Sequence, residues 1–422
     1  MGRRSIPLCV IGLGLVCALQ AWPADPAPAN GEQETYGRTP RELVPYGKAG
    51  EPYRRFYQDA PVSRGPGREA PDPTGLETVR IGLLAPLENS ARVDAGRNLK
   101  RGVELALAEA NASGGYRGTP FELVSKNDQV LWGASSNTLV ELAYVDRVWA
   151  MIGSINSNST HVALRAALKS ELLIVNVGSA DPTVTETGIP WIVRLTPDDR
   201  QAGYRLAHLV FEEWGLNRVA VVRSTDRYGR FGVKEFRDGA RRLARPLPME
   251  LLIRPGQANL DAQLERLEGS GAEAVVLWLD GDDAGRVVRW MGEHGIALPV
   301  AGPDRLVSDS FLAEAGTAAE GVTATAWFDP GRSDPMWVGF RERYAASHDS
   351  APDAYATYGY DAARLVVDVI RSAGLNRIRI RDALTAIRAY HGVAGPMQFD
   401  ATSNNVAPLV LGRVERGRFV FR

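Results

Sequence analysis

Cysteine is almost absent from this sequence: its 422 residues contain two, Cys9 and Cys17. Both lie in an apolar stretch over 6–19 that follows two arginines and precedes small residues and prolines, the pattern of a secretory signal over 1–24. Val16 stands where a lipoprotein signal has a small residue, so we predict a cleaved leader without a lipid anchor and an exported protein. The remaining chain would carry no cysteine, which excludes disulfides and thiol chemistry.

Charge of one sign and long hydrophobic runs are also lacking. Lys and Arg number 49 against 50 Asp and Glu, a formal net charge of −1, so no basic field is available to hold a nucleic acid. After the leader, no apolar run approaches the roughly 18 residues that indicate a membrane-spanning helix. Because the apolar fraction is 45%, a large buried core is possible, and we predict a soluble protein once the leader is removed.

The chain lacks the motifs of common enzymes and metal sites. Its five histidines have no second histidine or cysteine three or four residues away, as a zinc site on a helix would need. There is no Gly-x-Ser-x-Gly elbow and no phosphate-binding Walker loop. These absences predict a binding protein, not an enzyme, with no metal and no cofactor.

From residue 77 onwards, short aliphatic runs alternate with segments of helical period, such as 99–110 and 233–243. The alternation predicts an α/β fold with parallel sheets between helices and a ligand at the carboxyl ends of the strands. The length of 77–422 suits two such sheets, and the Pro- and Gly-rich stretch 25–76 before it is predicted to be an extended tether. The runs predicted as strands are 79–84, 121–127, 148–153, 172–177, 218–223, 249–253, 274–279 and 322–326.

Two polar turns follow neighbouring strands of this pattern. After the run that ends at residue 153, Ser157, Ser159 and Thr160 begin a helical segment, where free N–H groups and hydroxyls would bind a carboxylate. Ordinary N-capping by a serine or an asparagine of this turn is the alternative. The stretch 178–186 after the next run forms a second polar turn, which we expect to lie beside the first.

Several segments carry a family resemblance when they are taken in order. They are VRIGLLAPL, ALAEANASGGYRG, VWAMIGSINSNSTHVAL, LLIVNVGSADPTVTE, RVAVVRSTDRYGRFGVKEFRDGA and VAGPMQFDATSN. Together they resemble the type I periplasmic binding proteins of the Leu/Ile/Val-binding type. The resemblance implies two doubly wound parallel-sheet lobes, joined by a hinge of three crossings, that close on a small ligand. It places lobe 1 over 77–195 and 324–392, and lobe 2 over 196–323 and 393–422.

The resemblance also implies a set of site residues. Ser157 and the amide of Ala180 would bind the α-carboxylate of a ligand, and the carbonyl of Gly178 would accept from its α-ammonium. Asp304 would pair with that ammonium, and Tyr228 would line the pocket. Two alternatives stay open: Asp304 as the N-cap of the helix that follows it, and Tyr228 as an ordinary interlobe aromatic.

Two positions depart from the family pattern. Ala95 falls where an aromatic wall is common, with Arg92 in the same loop, and Asp280 falls where a second pocket tyrosine is common. These residues predict a cleft that is more polar than one made for leucine. The resemblance implies an extracytoplasmic receptor that passes a small amino acid, or a related amide or carboxylate, to the membrane permease of an ABC importer. The alternative is a ligand-sensing or partner subunit of the same fold that is not coupled to transport.

Overall fold

The computed structural model describes residues 59–63, 65, 67–128, 134–245 and 249–422. The predicted leader, both cysteines and the first part of the predicted tether lie outside these residues. Within the described ranges, no helix combines the length and the apolar character that crossing a membrane requires.

The first sheet consists of five parallel strands, which are β1 Val79–Ala85, β2 Phe121–Asn127, β3 Met151–Gly153, β4 Ile174–Asn176 and β5 Ile192–Arg194. They are arranged in the order β2-β1-β3-β4-β5. The connections from β1 to β4 contain α1 Val93–Ala112, α2 Ala134–Val140 and α3 Ser157–Ser170. Because helices cover a parallel sheet, β1 is buried along almost its whole length.

The second sheet has seven strands. Five of them are parallel to one another: β6 Val219–Ser224, β7 Met249–Ile253, β8 Ala274–Trp278, β9 Val300–Gly302 and β10 Thr323–Ala326. A small antiparallel pair, β11 Ala389–Gly392 and β12 Gly395–Gln398, forms a sheet of its own. The final hairpin, β13 Val410–Glu415 and β14 Arg418–Phe421, then adds two antiparallel strands at the β10 edge of the second sheet. Its order is β14-β13-β10-β9-β8-β6-β7.

The remaining helices flank the two sheets. They are α4 Asp199–His208, α5 Arg227–Arg242, α6 Asp261–Leu264, α7 Gly281–Glu293, α8 Asp309–Ala315, α9 Pro335–His348, α10 Ala354–Ala373 and α11 Arg377–Ala386. Helices α1 and α10 cross closely because Gly102 lies at the contact, where a Cβ would sit 2.0 Å from the carbonyl oxygen of Ala356. Any larger residue at position 102 would push these helices apart.

Each sheet has its own buried core, and we call the two halves lobe 1 and lobe 2. The lobe 1 core contains residues from 79–195 and from 327–399. The lobe 2 cores, on the two faces of the second sheet, contain mainly residues from 202–324, with Val414 from the last hairpin. The chain therefore passes between the lobes three times, after β5, after β10 and before β13, which is the arrangement that the resemblance implies.

The second and third passages come a few residues later than the predicted boundaries at residues 323 and 392. Strand β10 pairs within the second sheet as far as Ala326, and Phe399 still belongs to the lobe 1 core. Strand pairing and side-chain burial decide where the chain changes lobe, and neither is visible in a local sequence pattern.

The last part of the predicted tether packs against lobe 1. The side-chain amide of Asn376 donates to the carbonyl of Gly67 (2.7 Å), and Arg68 pairs with Asp382 (2.8 Å). These contacts hold the described residues before position 76 against α11. The interpretation of 25–76 as an extended tether therefore fails for this part, because lobe 1 side chains bind its backbone.

One buried arginine connects the first and third passages between the lobes. Arg194, at the end of β5, is fully buried and donates to Asp198 (2.6 Å) and to the side-chain oxygen of Asn404 (2.7 Å). It also donates to the carbonyls of Ser179 (3.2 Å) and Asp181 (2.6 Å). Since a buried guanidinium needs partners for its donors, this network positions the turn after β4 relative to the hinge.

Candidate functional site

The turn between β3 and α3 is held by its own side chains. Asn156 is the N-cap of α3, and its side-chain oxygen accepts from two N–H groups of the first turn (2.9 and 3.2 Å). The hydroxyls of Ser159 and Thr160 donate to Asp128 (2.7 Å) and to the Asn156 carbonyl (2.9 Å). Capping is therefore the role of Asn156. In the described residues the hydroxyl of Ser157 takes no part in these bonds that hold the turn.

The turn after β4 lies beside the first turn, as the sequence predicts. Asn176 connects them, because its side-chain amide donates to the carbonyl of Ser154 (2.8 Å) and its oxygen accepts from the N–H of Ser179 (3.1 Å). Gly178 and Ala180 are buried here. Across the described part of the chain, neither the Gly178 carbonyl nor the Ala180 amide takes part in a hydrogen bond, so both have capacity for a ligand.

Tyr228 brings lobe 2 to the same turn. It is the second residue of α5, only 5% exposed, and packs in one buried cluster with Ala180 and Trp278. Its hydroxyl has no hydrogen-bond partner among the described residues. Burial, together with the charge of Asp304, raises the pKa of Tyr228 well above its usual range. The tyrosine therefore stays neutral and its hydroxyl is free to bond a ligand.

Asp304 does not cap a helix. Ser308 is the N-cap of α8, where its hydroxyl accepts from the N–H of Phe311 (3.3 Å), whereas Asp304 begins a short 3-10 turn. The capping alternative is therefore wrong. Burial raises the pKa of Asp304 to about 6, although the charges of Arg305 and Arg92 oppose this rise. Because Arg92 belongs to lobe 1 and Asp304 to lobe 2, the carboxyl group of Asp304 is influenced by charges from both lobes.

Asp280 precedes α7 but its side chain does not cap that helix. Its carboxylate instead pairs with Nη1 of Arg305 (2.8 Å), whose guanidinium carbon lies 3.4 Å from the ring centroid of Tyr228. Burial acts to raise the pKa of Asp280, but the charges of Arg305 and Arg92 hold it below its usual range. Asp280, which the sequence predicts as a cleft residue, is thus paired with Arg305, which the sequence does not predict as one.

Asp199 is a further site candidate that the sequence does not reveal. It is the first residue of α4 and 1% exposed, and its backbone N–H donates to the carbonyl of Ala180 (2.8 Å). Neither of its carboxylate oxygens has a hydrogen-bond partner in the described residues. Burial, reinforced by the charge of Asp304, raises the pKa of Asp199 well above its usual range. A buried acid without donors, close enough to a second acid to feel its charge, fits an ammonium group.

A charged bridge joins the lobes next to this site. Arg227, at the start of α5, donates through Nε to Asp181 (2.6 Å), and its Nη2 lies 2.9 Å from Nε2 of His161. Burial opposes ionisation of Asp181, but the hydrogen bond with His161 and the charge of Arg227 hold its pKa below the usual range. The bridge therefore holds the two lobes in contact at this turn.

The sheets, the three passages and the polar interlobe site agree with what comparison with known proteins shows. A family model described as "Periplasmic binding protein" matches residues 78–418. The chain belongs to the periplasmic binding protein family. Members of this family serve ABC transporters as substrate-binding receptors outside the cytoplasm and are not enzymes; they bind small molecules and deliver them to membrane permeases.

Individual relatives differ in what they bind. The Leu/Ile/Val-binding protein homolog 2 of Brucella abortus (strain 2308) is 25% identical over 347 residues, which cover 82% of this chain and 92% of that protein. A branched-chain amino acid transporter substrate binding protein from Streptococcus pneumoniae, in complex with isoleucine, superposes with a TM-score of 0.74 at 22% identity, covering 82% and 100% of the two chains. A solute binding protein from R. palustris, in complex with benzoate, superposes with a TM-score of 0.74 at 19% identity. The match covers 82% of this chain and 95% of that chain. Similarity at this level of sequence identity shows the fold. The ligand of this chain has to be inferred from the residues of its own site.

Proposed function

We propose that this protein is a periplasmic receptor that binds an amino acid between its lobes and delivers it to the permease of an ABC importer. Family membership supports the receptor role. The predicted signal over 1–24 supports export to the periplasm. The choice of an amino acid rests on the chemistry of the interlobe site.

The buried carboxylate of Asp199 is the observation that carries this choice. An acid that is 1% exposed and has no donor for either oxygen destabilises the ligand-free protein, because burial removes water without replacing its hydrogen bonds. The charge of the nearby Asp304 adds to this cost. An α-ammonium supplies three donors and one positive charge, so it would satisfy both acids at once.

The other charged group of an amino acid, its α-carboxylate, fits lobe 1. Helix α3 begins at Ser157, and the unpaired amide of Ala180 lies in the neighbouring turn. A helix N-terminus and free N–H groups favour a carboxylate. A plain acid such as benzoate would use this half of the site but would leave Asp199 and Asp304 without a cation, which is why we favour an amino acid.

Closure follows from the division of these groups between the lobes. A ligand bound to the lobe 1 turns gains contacts with Asp304 and Tyr228 only when lobe 2 is close. Its higher affinity for the closed form would therefore shift the protein towards closure. The closed form is what a permease would recognise.

The test is a calorimetric binding screen of residues 25–422 against the L-amino acids, each paired with the analogue that lacks the amino group. We expect one amino acid to bind and its deaminated analogue to bind at least about 30-fold more weakly, since removing one partner of a buried charge pair costs about 2–5 kcal/mol.

Asp304→Asn should reduce the affinity for that amino acid by a similar factor. Glu293→Gln is the matched control, because Glu293 is exposed at the far end of α7 in the same lobe, and it should bind like the unmodified protein. Equal affinity for the deaminated analogue would refute the amino-acid assignment, and binding without any genetic or physical link to a permease would favour a sensor subunit instead.

A further inference from the structure

We propose that Arg305 and Arg92 bind the side chain of the ligand and select an amino acid whose side chain ends in a carboxylate or a carboxamide. This inference rests on the proposed amino-acid function. It concerns the part of the cleft beyond the groups assigned to the α-carboxylate and the α-ammonium.

Arg305 is held in place on the lobe 2 side. Its side chain is 8% exposed and its Nη1 donates to Asp280 (2.8 Å). Its guanidinium carbon lies 3.4 Å from the ring centroid of Tyr228, a stacked arrangement. In the described residues this bond to Asp280 is the one hydrogen bond of the guanidinium, so most of its five N–H donors have no partner.

Arg92 is held in the same way on the lobe 1 side. Its Nη1 donates to the carbonyl of Ile155 (3.0 Å), its Nη2 donates to the hydroxyl of Tyr355, and its guanidinium carbon lies 5.3 Å from the centroid of that ring. The Tyr355 ring in turn lies against Gly178, where a Cβ would sit 3.0 Å from Cε1. Nε of Arg92 and one N–H on each terminal nitrogen keep no protein partner in the described chain.

Both arginines therefore flank the turn that we assign to the ligand backbone. Gly178 at one end of this turn lies against Tyr355, the partner of Arg92. Ala180 at the other end packs in the same cluster as Tyr228, on which Arg305 is stacked. A ligand anchored at this turn would direct its side chain between two guanidinium groups.

The donors of this region decide which side chain fits. A branched aliphatic side chain would exclude water from the unpaired N–H groups of Arg92 and Arg305 and offer no acceptor in return. A carboxylate or a carboxamide oxygen supplies acceptors, and a carboxylate adds a charge-assisted, two-point contact that guanidinium geometry favours. Asp280 neutralises only one of the two guanidinium charges.

Calorimetry with aspartate, glutamate, asparagine, glutamine, leucine, isoleucine and valine tests the inference. We expect one of the first four to bind at least about tenfold more tightly than any of the three aliphatic amino acids. Leucine, isoleucine or valine binding as tightly or more tightly would overturn the inference while leaving the amino-acid function intact. Binding of deaminated acids alone would instead refute the function itself.

Variants of Arg305 give the second test. Arg305→Gln should weaken the acidic or amide ligand by at least about 30-fold, and the double variant Arg305→Gln/Asp280→Asn should show the same loss without leaving Asp280 unpaired. Arg289→Gln is the control, since Arg289 lies on α7 in an exposed pair with Glu314. If the Arg305 variants fail to fold by circular dichroism, Arg92→Gln takes their place, and unchanged selectivity in the folded variants would overturn the inference.

Discussion

The two lobes present different chemistry to the space between them. Lobe 1 contributes backbone turns whose polar side chains bond one another: Asn156 caps α3, Asn176 joins the two turns, and Ser159 donates to Asp128. Lobe 2 contributes charged and phenolic side chains, of which Asp199 and Tyr228 have atoms without partners in the described chain. The lobe 1 turns are therefore held by their own side-chain hydrogen bonds, whereas the lobe 2 face keeps buried side-chain atoms of Asp199 and Tyr228 without partners in the described chain.

This difference separates two tasks. A preformed turn of N–H groups suits the carboxylate that all amino acids share, and it needs no change from one ligand to another. Unpaired acids and arginines impose a cost that only a ligand of matching chemistry removes. We infer that lobe 1 provides general binding, whereas lobe 2, together with Arg92, provides specificity. Substitutions in the lobe 1 framework should therefore change stability, and substitutions at the lobe 2 face should change affinity.

The largest effect is expected for Arg194→Ala, in the framework. The variant would leave Asp198 buried without its cation, since the two side chains are 0% and 2% exposed, and should lose about 3–5 kcal/mol of unfolding free energy. Urea unfolding followed by circular dichroism measures this loss. Arg205→Ala, which removes a partly exposed pair with Glu213, should change stability by less than about 1 kcal/mol. Equal losses of unfolding free energy in the two variants would contradict the role of Arg194 in the framework.

A smaller effect is expected for Arg227→Ala, which removes the bridge between the lobes. The closed form would lose a charge-assisted hydrogen bond to Asp181, worth about 1.5–3 kcal/mol, so the affinity for the amino acid found by the screen should fall about 10- to 100-fold. Calorimetry measures the affinity, and small-angle scattering should show a larger radius of gyration at partial saturation. Unchanged scattering and affinity would mean that the bridge does not influence closure.

The smallest effect is expected from pH. The pKa of Asp304 is about 6, so the ionised form that pairs with an ammonium predominates at pH 7 and becomes the minor form at pH 5. Affinity should therefore weaken about tenfold as pH falls from 7 to 5. In Asp304→Asn this dependence should disappear. A pH dependence that persists in the variant would assign it to another group, such as Asp199.

Much of the fold could be predicted from the sequence, with specific omissions. The eight predicted runs correspond to β1, β2, β3, β4, β6, β7, β8 and β10. Strands β5 and β9 were missed because Arg194 interrupts the apolar run at β5 and Pro299 and Pro303 bound the one at β9, whereas β3 and β4, equally short, lie within the longer apolar runs 148–153 and 172–177. The hairpins β11–β12 and β13–β14 were missed because their burial alternates and is incomplete, unlike the continuous apolar runs of the parallel strands.

The site was predictable to a smaller extent. The polar turns can be identified from their composition, and Asn176 joins the two turns by hydrogen bonds to both. Asp199 carries no distinct signal, because an acid in the first turn of a helix is common for reasons of helix stability. Arg305 carries none either, since a single arginine in a short loop usually points into water.

The sequence by itself determined the α/β class, the presence of two sheets and the position of the polar turns, because periodicity and turn composition are properties of consecutive residues. The tertiary structure alone decided which charges meet. Asp199, Asp280 and Asp304 lie in three separate segments of the chain, and Arg92 comes from the other lobe. Their pKa values and their pairing depend on burial and on distances through space, which no run of neighbouring residues specifies.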